Sequence, residues 1–288
     1  MEDQARESTY RAAVQLVEWK RYKEALTEAG RLLSQDPEDA DAMALIAKIH
    51  LHLEQYEEAI RWTEEALARV PEHEQAWYVR VCAFYEKEDM AAFEKSLAEA
   101  MRIDPYESFY YYLQAASLTK KGKFKEAKES LLAALEIQPE TPLYLAVLSY
   151  LEALLGDKEE SARLDRQAIR YDAEMPYGLM YLAWAARARG DHKLDETYMR
   201  SAVRLEPDNR QIQDEYLESL QHRYWLFRML SGPGKLLRRL KPWQILLSWF
   251  VAWLLFKPLV VVFILLYVIT NWGTKALVHL RVFGWRRR

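Results

Sequence analysis

Few residues of this 288-residue chain have the types and spacing that catalysis requires. Segment 231–235, Ser-Gly-Pro-Gly-Lys, has the glycines and the lysine of a phosphate-binding loop. However, Met229 stands where such a loop begins with glycine, and Leu236 replaces the hydroxyl residue that would ligate Mg²⁺. We therefore interpret the segment as a flexible break between two parts of the chain.

Histidine and cysteine also form no recognisable site. His50 and His52 are two residues apart, which places them on different sides of a helix, and the other four histidines are scattered. Cys82 is the single cysteine, which excludes an internal disulfide framework and predicts a small buried or groove residue. We expect no catalytic residue, no metal site and no cofactor, so the chain is not expected to be an enzyme.

The chemistry that remains is recognition by aromatic side chains. The chain contains ten tryptophans and eighteen tyrosines, and aromatic residues make up 13% of it. Rings with an apolar face and a polar tip are well suited to binding an extended peptide or a helix. What they bind depends on the elements that hold them.

Charge divides the chain into two parts. Residues 223–288 contain twelve Lys or Arg and no Asp or Glu, whereas residues 1–222 contain 28 basic and 43 acidic residues. Residues 1–222 therefore carry a charge of −15, and residues 223–288 carry a charge of +12. The acidic start of the chain has no basic region and no apolar run typical of a signal peptide, so we expect residues 1–222 to be cytosolic.

The first 208 residues repeat with a period of 34. Pro37, Pro71, Pro105 and Pro139 follow one another at this spacing. A ladder of mostly small residues with the same period consists of Ala13, Ala47, Val81, Ala115, Ser149 and Ala183. A second such ladder consists of Leu32, Ala66, Ala100, Ala134, Ala168 and Ala202. Ladders in phase over six periods predict one structural unit that is repeated and stacked.

Each unit has the pattern of two helices. Between residues 40 and 71, apolar residues recur at helical spacing in two runs. The break between the runs becomes glycine in later units, at Gly122, Gly156 and Gly190, and glycine suits the end of a helix. The proline near the end of each unit stops the second helix. The sequence thus predicts antiparallel helix pairs of about 13 residues per helix.

These residues resemble the tetratricopeptide repeat family, whose members repeat such a pattern every 34 residues. The fourth repeat matches it with Tyr111, Ala115, Gly122, Phe124, Ala127, Ala134 and Pro139. The third repeat has Phe93 where the family has a small alanine, and the fifth and sixth have Ser161 and Asp195 there. The resemblance implies an all-α helical solenoid of about six helix-pair repeats over residues 1–208, with a capping helix over residues 209–230.

In this family the first helices of the pairs line a concave groove that holds the partner. The resemblance implies a groove lined by Tyr10, Lys48, Tyr78, Tyr85, Tyr112, Tyr150, Tyr177, Trp184 and Arg187. The alternative is that several of these side chains only pack between helices. The positions of the family's carboxylate clamp hold Tyr10, Val14, Leu45, Gln75 and Val79, none of which is basic, so no such clamp is expected.

The C-terminal part has the pattern of a membrane segment. Two apolar runs, residues 243–256 and 259–270, flank Lys257 and Pro258. As helices the runs would be about 21 Å and 18 Å long, shorter than the roughly 30 Å hydrocarbon core. Pro258 favours a break, so we predict a membrane-embedded helical hairpin over residues 243–272. Its interfacial anchors would be Trp243, Trp249, Trp253 and Trp272.

Basic residues flank the hairpin in a juxtamembrane segment, 231–242, and a C-terminal tail, 273–288. The positive-inside rule places both flanks, and with them the repeats and both termini, on the cytoplasmic side. The side chains expected at anionic headgroups are Arg238, Arg239, Lys241, Arg286, Arg287 and Arg288. A single kinked span would put the final arginines outside, and a second soluble domain would need a polar cover that residues 223–288 lack.

The sequence therefore predicts a non-enzymatic, membrane-anchored scaffold or adaptor. Its groove would bind a peptide or helix of a partner protein, for assembly, quality control or transport of membrane or envelope proteins. Alternatively, the hairpin is the docking or pore element of a membrane complex and the repeats are regulatory. A weak hydrolase in the groove lacks a nucleophile and base, and nucleic-acid binding does not suit the apolar runs. A homo-oligomer formed tail to tail is compatible with the sequence.

Overall fold

The computed structural model describes residues 2–222, 264–269 and 272–273, with side chains for residues 4–221, 264–269 and 272–273. These residues form helices and turns, and no strand occurs among them. The helices of residues 2–222 are α1 (Glu2–Glu18), α2 (Tyr22–Gln35), α3 (Ala40–His52), α4 (Tyr56–Arg69), α5 (Glu74–Glu86), α6 (Met90–Ile103), α7 (Ser108–Lys120), α8 (Phe124–Ile137), α9 (Pro142–Leu155), α10 (Lys158–Tyr171), α11 (Pro176–Arg189), α12 (His192–Leu205) and α13 (Arg210–His222).

The predicted helix pairs are confirmed. From α2 to α12 each helix has 13 or 14 residues, close to the length that the repeat pattern predicts. The odd-numbered helices from α3 to α13 begin one period apart, which also fixes the limits of the fifth and sixth repeats. The helices divide into an N-terminal unit, which ends at Pro139 and holds α1–α8, and a C-terminal unit that begins at Glu140.

The small residues of the repeat lie where the two helices of a pair meet. All six members of the ladder from Ala13 to Ala183 have no exposed surface. The facing ladder in the second helices is equally buried and consists of Ala25, Ala59, Phe93, Ala127, Ser161 and Asp195. Small side chains let paired helices approach closely, so Phe93, Ser161 and Asp195 are the places where the packing must differ.

A left-handed residue ends the first helix of every repeat. Its φ is +59° at Lys20, +58° at Glu54 and +60° at Glu88. In the later repeats glycine takes the same position, with φ of +75° at Gly122, +99° at Gly156 and +88° at Gly190. The expected role of these glycines at helix ends is confirmed, since only glycine adopts this conformation without strain. The first three repeats achieve the same turn with a strained residue.

We expect Glu88→Gly to raise the free energy of unfolding by about 0.5–1 kcal/mol, because glycine removes the cost of a left-handed L-residue. Gly190→Ala should lower it by about 1 kcal/mol for the same reason. Urea unfolding followed by far-UV circular dichroism measures both. The matched control is Glu129→Gly inside α8, which should lower the free energy of unfolding by about 1 kcal/mol. A loss of that size from Glu88→Gly would contradict the left-handed conformation of Glu88.

Asp36, Asp104 and Asp172 form the turns between repeats. The Oδ1 of each accepts a hydrogen bond from the backbone N–H two residues later, at 3.0, 3.0 and 2.7 Å. Asp172 precedes Ala173, which occupies the position of the repeating proline. The aspartate turn therefore keeps the chain reversal where the proline is missing.

Asp39 joins the first two repeats. It caps α3 by accepting from Ala42 N at 3.0 Å, and it receives two 2.8 Å hydrogen bonds from the Arg6 guanidinium. Burial acts to raise the pKa of Asp39, but the bonds from Arg6 and Ala42 outweigh it, so the pKa is lowered. The carboxylate is thus kept ionised where the dipole of α3 and the guanidinium both favour a negative charge.

Only a small part of the predicted membrane segment is described. Residues 264–269 are helical, all six side chains are apolar and exposed, and Trp272 is 79% exposed. No helix among the described residues has the length and apolar character needed to cross a membrane. The predicted capping helix over 209–230 is described as α13 as far as His222. The remaining predicted membrane and headgroup residues lie outside the described residues: Trp243, Trp249, Trp253, Lys257, Pro258, Arg238, Arg239, Lys241, Arg286, Arg287 and Arg288.

Candidate functional site

In the N-terminal unit, four half-buried rings on α5 and α7 form what we call the N-terminal aromatic face: Tyr78, Tyr85, Phe109 and Tyr112. The ring centroids of Tyr78 and Phe109 are 5.6 Å apart, and those of Phe109 and Tyr112 are 5.3 Å apart. Residues at i, i+3 and i+7 of a helix lie on one side of it, which is why the rings come together. The sequence predicted all of these except Phe109.

Two fully or almost fully buried rings, Phe93 and Tyr110, pack against this face. The buried Phe93 lies 5.3 Å from Tyr85, and the buried Tyr110 lies 6.2 Å from Tyr78, measured between ring centroids. Cys82 packs against the same cluster. Burial raises the pKa of its thiol to about 12, with smaller contributions from Glu86 and Glu107. The thiol is therefore protonated at neutral pH and unsuited to act as a nucleophile.

Lys48 and Tyr10 complete the predicted positions of this unit, and Lys120 adds a contact that the sequence did not predict. Lys120 places its Nζ 4.6 Å from the ring centroid of Tyr85, a cation–π contact. Lys48 is half-buried on α3. The half-buried Tyr10 donates from its hydroxyl to Gln75 Oε1 at 3.3 Å, which ties α1 to α5.

In the C-terminal unit, Tyr150 of α9 and Tyr181 and Trp184 of α11 form what we call the C-terminal aromatic face. The ring centroids of Tyr181 and Trp184 are 5.0 Å apart, and Tyr150 lies 5.7 Å from Trp184. All three side chains are half-buried. The Trp184 indole N–H donates to Glu215 Oε2 of α13 at 2.7 Å, so α13 borders this face. Tyr177 lies nearer the start of α11, 46% exposed, with Asn209 as its hydrogen-bond partner.

Arg187 lies beside this face and is surrounded by carboxylates. Its Nε and Nη2 donate to Asp195 at 3.0 and 3.3 Å, and Asp195 is fully buried. Its Nη1 lies 3.2 Å from Glu218 and 3.5 Å from Glu215. Burial acts to lower the pKa of Arg187, but the three carboxylates outweigh it and raise the pKa. A residue predicted to bind the partner thus also holds α11, α12 and α13 together.

A second arginine of α11 makes a buried network that the sequence did not predict. The Arg189 side chain is 7% exposed and lies 2.5 Å from Asp165, which is 3% exposed. Ser149 donates to Asp165 at 2.5 Å, and Ser161 receives a hydrogen bond from Arg189. Ser149 and Ser161 take the two facing positions that hold alanines in repeats one, two and four. These hydroxyls supply the polar partners that a buried ion pair needs.

The structure groups Tyr78, Tyr85 and Tyr112 on one face and Tyr150, Trp184 and Arg187 on or beside the other. The predicted residues Tyr10, Lys48 and Tyr177 lie outside these two groups. Phe109 and Tyr181 were missed, although Phe109 lies one period after Gln75 and Tyr181 three residues before Trp184. Leu45 and Val79, two of the positions examined for a carboxylate clamp, are core residues that are 1% and 0% exposed. Among the described residues, no three His, Cys, Asp or Glu side chains are arranged to hold a metal ion.

Family models and solved structures both match the chain. Three tetratricopeptide repeat models match residues 16–81, 110–141 and 155–210, which together are more than half of the chain. No curated protein matches the sequence. Many solved structures have a similar fold, and the matches differ in how much of each chain they cover.

PilF of Pseudomonas aeruginosa is 18% identical, with a TM-score of 0.61 over 75% of this chain and 98% of that one. PilW, a type IV pilus biogenesis factor, is also 18% identical, with a TM-score of 0.60 over 73% of this chain and 98% of that one. A chain of the APC/C hetero-tetramer Cut9–Hcn1 is 12% identical with a TM-score of 0.65 over 75% of this chain. The match covers only 43% of that chain, so our protein spans less than half its length. At these identities the likeness concerns the fold alone. With its helix pairs, its buried ladders and the three family matches, this chain belongs to the tetratricopeptide repeat family.

Proposed function

We propose that this protein is a non-enzymatic, membrane-anchored scaffold whose aromatic faces bind a peptide or helix of a partner protein. Tetratricopeptide repeats are protein-interaction modules, and that general role is supported by the family matches and by the fold. The partner, the membrane and the cytoplasmic location of the repeats are our proposal. The scaffold would serve the assembly, quality control or transport of membrane or envelope proteins.

The observation that carries the proposal is the pair of aromatic faces. Each contains rings packed on one side against other rings and half-exposed on the other. Half-buried tyrosine and tryptophan are the side chains that most often dominate protein interfaces, because they bury a large area with few rotatable bonds. The buried rings packed against Tyr78 and Tyr85 hold them in place before a partner arrives.

Membrane anchoring is supported by the C-terminal segment. Six consecutive apolar residues, 264–269, are between 43% and 64% exposed in a helical conformation. A helix that is apolar on all sides requires an apolar environment. The apolar runs of the sequence and the +12 charge around them favour anionic lipid as that environment. Anchoring would confine the aromatic faces to the membrane surface and raise their effective concentration there.

We expect full-length protein to float with phosphatidylcholine–phosphatidylglycerol vesicles and a 1–222 truncation to stay behind. Both should capture the same partner protein, because the described aromatic faces lie within residues 1–222. Tyr112→Ser should weaken that capture by about tenfold or more, the usual cost of removing a central aromatic residue. Flotation and quantitative mass spectrometry of captured proteins measure these outcomes.

The matched control is Tyr106→Ser, which makes the same change on a ring that is 80% exposed in the turn between α6 and α7. It should leave capture unchanged. Loss of the partner with the truncation would instead make the tail the interaction module. Flotation of the truncation, or of neither protein, would contradict anchoring by the C-terminal segment.

A further inference from the structure

A groove of about 520 Å³ lies between α4, α5 and α6 of the N-terminal unit. The side chains that give it its chemistry are Leu67 of α4, Trp77, Arg80 and Phe84 of α5, and Lys95 and Ser96 of α6. Arg80 and Phe84 follow Tyr78 by two and six positions, which places them about 200° and 240° around α5 from that ring. The groove is therefore on the side of α5 away from the N-terminal aromatic face.

Arg80 occupies a position that belongs to the core in other repeats. One period before it stands Ile46 and three periods after it Leu182, which are 5% and 0% exposed. The Arg80 side chain is 19% exposed, and its Nη1 and Nη2 lie 3.3 Å from Thr63 Oγ1 and 3.4 Å from Glu64 Oε1. Both distances exceed the roughly 2.7–2.9 Å of a strong charge-assisted hydrogen bond. Among the described residues, the other N–H groups of this guanidinium have no acceptor.

Ser96 brings a second donor to the same groove. It is 5% exposed, and its hydroxyl has no hydrogen-bond partner within the part of the chain that the structure describes. One period later the positions of Arg80 and Ser96 hold Gln114 and Ser130, and Ser130 donates to Gln114 Oε1 at 2.9 Å. In the third repeat the arginine turns to α4 instead, so this bond between the paired helices is not made.

A second cation lies at the edge of the groove. Lys95 is exposed on α6 and has no ion-pair partner among the residues with described side chains. The carboxylates that line the groove are Glu99, which pairs with Arg102 at 3.1 Å, and Glu64, which is 62% exposed. The groove thus offers a guanidinium, an ammonium and a hydroxyl to an oxyanion. Because like charges repel, these two carboxylates favour a singly charged carboxylate over a doubly charged phosphate.

We propose that this groove binds an acidic, apolar segment of a second partner protein. A carboxylate of that segment pairs with Arg80 and Lys95 and accepts a hydrogen bond from Ser96. An apolar side chain next to it packs on Trp77, whose indole N–H is already bound to Pro71 O at 2.8 Å, so that the ring offers its apolar surface. The inference goes beyond the aromatic faces, because it gives the scaffold a separate site on the other side of α5.

The test uses full-length protein in a non-ionic detergent and a fluorescently labelled short peptide of leucine, serine and glutamate. A counterpart with glutamine in place of glutamate controls for charge. Fluorescence anisotropy should show that the glutamate peptide binds and that the glutamine peptide binds at least about tenfold more weakly. Binding of the glutamate peptide should weaken as salt is raised, because exposed charges are screened.

Two variants locate the peptide. Arg80→Gln gives α5 the glutamine that α7 has at this position, which can accept from Ser96, so the variant is expected to fold, and circular dichroism checks this. It should weaken binding of the glutamate peptide by about tenfold or more. Lys95→Gln changes an exposed side chain and should weaken binding by about threefold. The matched control Lys125→Gln removes an exposed charge from α8 and should change nothing.

Other outcomes overturn the inference. Unchanged binding to Arg80→Gln and Lys95→Gln would place the peptide elsewhere, on the basic residues 223–288 for example, and reject the site. Equal binding of the glutamate and glutamine peptides, tighter binding of a phosphoserine counterpart, or no binding of any peptide would reject the carboxylate. Tyr112→Ser should leave peptide binding unchanged, and its loss in that variant would reject a site separate from the N-terminal aromatic face.

Discussion

Replacing Phe93 by alanine is expected to lower the free energy of unfolding by about 3–5 kcal/mol. The position belongs to the ladder that holds alanine in three of the six repeats, and a change toward the family residue usually stabilises a protein. Here the opposite should happen, because the ring is fully buried and packs 5.3 Å from Tyr85 in a cluster with Val81, Leu97 and Tyr110. Alanine would leave a cavity that these neighbours cannot fill.

Urea unfolding of the full-length protein, followed by circular dichroism, measures the loss. Leu132→Ala on α8, where the side chain is 41% exposed, should cost less than about 0.5 kcal/mol and serves as the control. Since Phe93 supports Tyr85, the same variant should also weaken partner capture. A Phe93→Ala protein as stable as the parent would show that the helices close around the smaller residue.

Replacing Arg189 by methionine should cost about 3–5 kcal/mol, because it leaves Asp165 buried without its charge partner. Both side chains are less than a tenth exposed, and Ser149 and Ser161 are fully buried beside them. The hydrogen bond from Ser149 remains after the change but does not neutralise the carboxylate.

The control for this prediction is Arg163→Met, which breaks an exposed pair with Glu160 on α10. Such surface pairs contribute less than about 1 kcal/mol. Combining Arg189→Met with Asp165→Leu should recover much of the stability, since buried ion pairs can often be replaced by apolar residues. Failure of the double variant to recover any stability would assign the loss to the shape of the site rather than to its charge.

The fold could be predicted from the sequence because the same pattern of residues occurs six times. The position of Ala47 and Ala115 holds a small residue or valine in every repeat, so its burial between paired helices can be deduced without a structure. In the last three repeats, the glycine also predicts the end of the first helix. In the first three, Lys20, Glu54 and Glu88 give no local signal, and their left-handed conformation follows only from the period.

The candidate site was harder to predict from the sequence, for two physical reasons. A tyrosine on the first helix of a pair has the same pattern whether it packs or protrudes, as Tyr110 and Tyr112 show: one is buried and the other half-exposed. The buried ion pairs depend on residues far apart in sequence, such as Asp165 and Arg189, 24 positions apart. The visible sign was polar residues, Ser161 and Asp195, at positions that the repeat reserves for small apolar ones.

Arg187 and Arg189 are two residues apart at the end of α11 but bind opposite neighbours. Arg189 binds the ion-pair network of α9 and α10, and Arg187 holds α12 and α13. Repeat arrays otherwise separate one helix at a time, because each repeat contacts only its neighbours. If tension is applied through the end of α13, both ion-pair networks carry it, one on each side of α11. The last two repeats should then yield to mechanical force as one block instead of unravelling helix by helix.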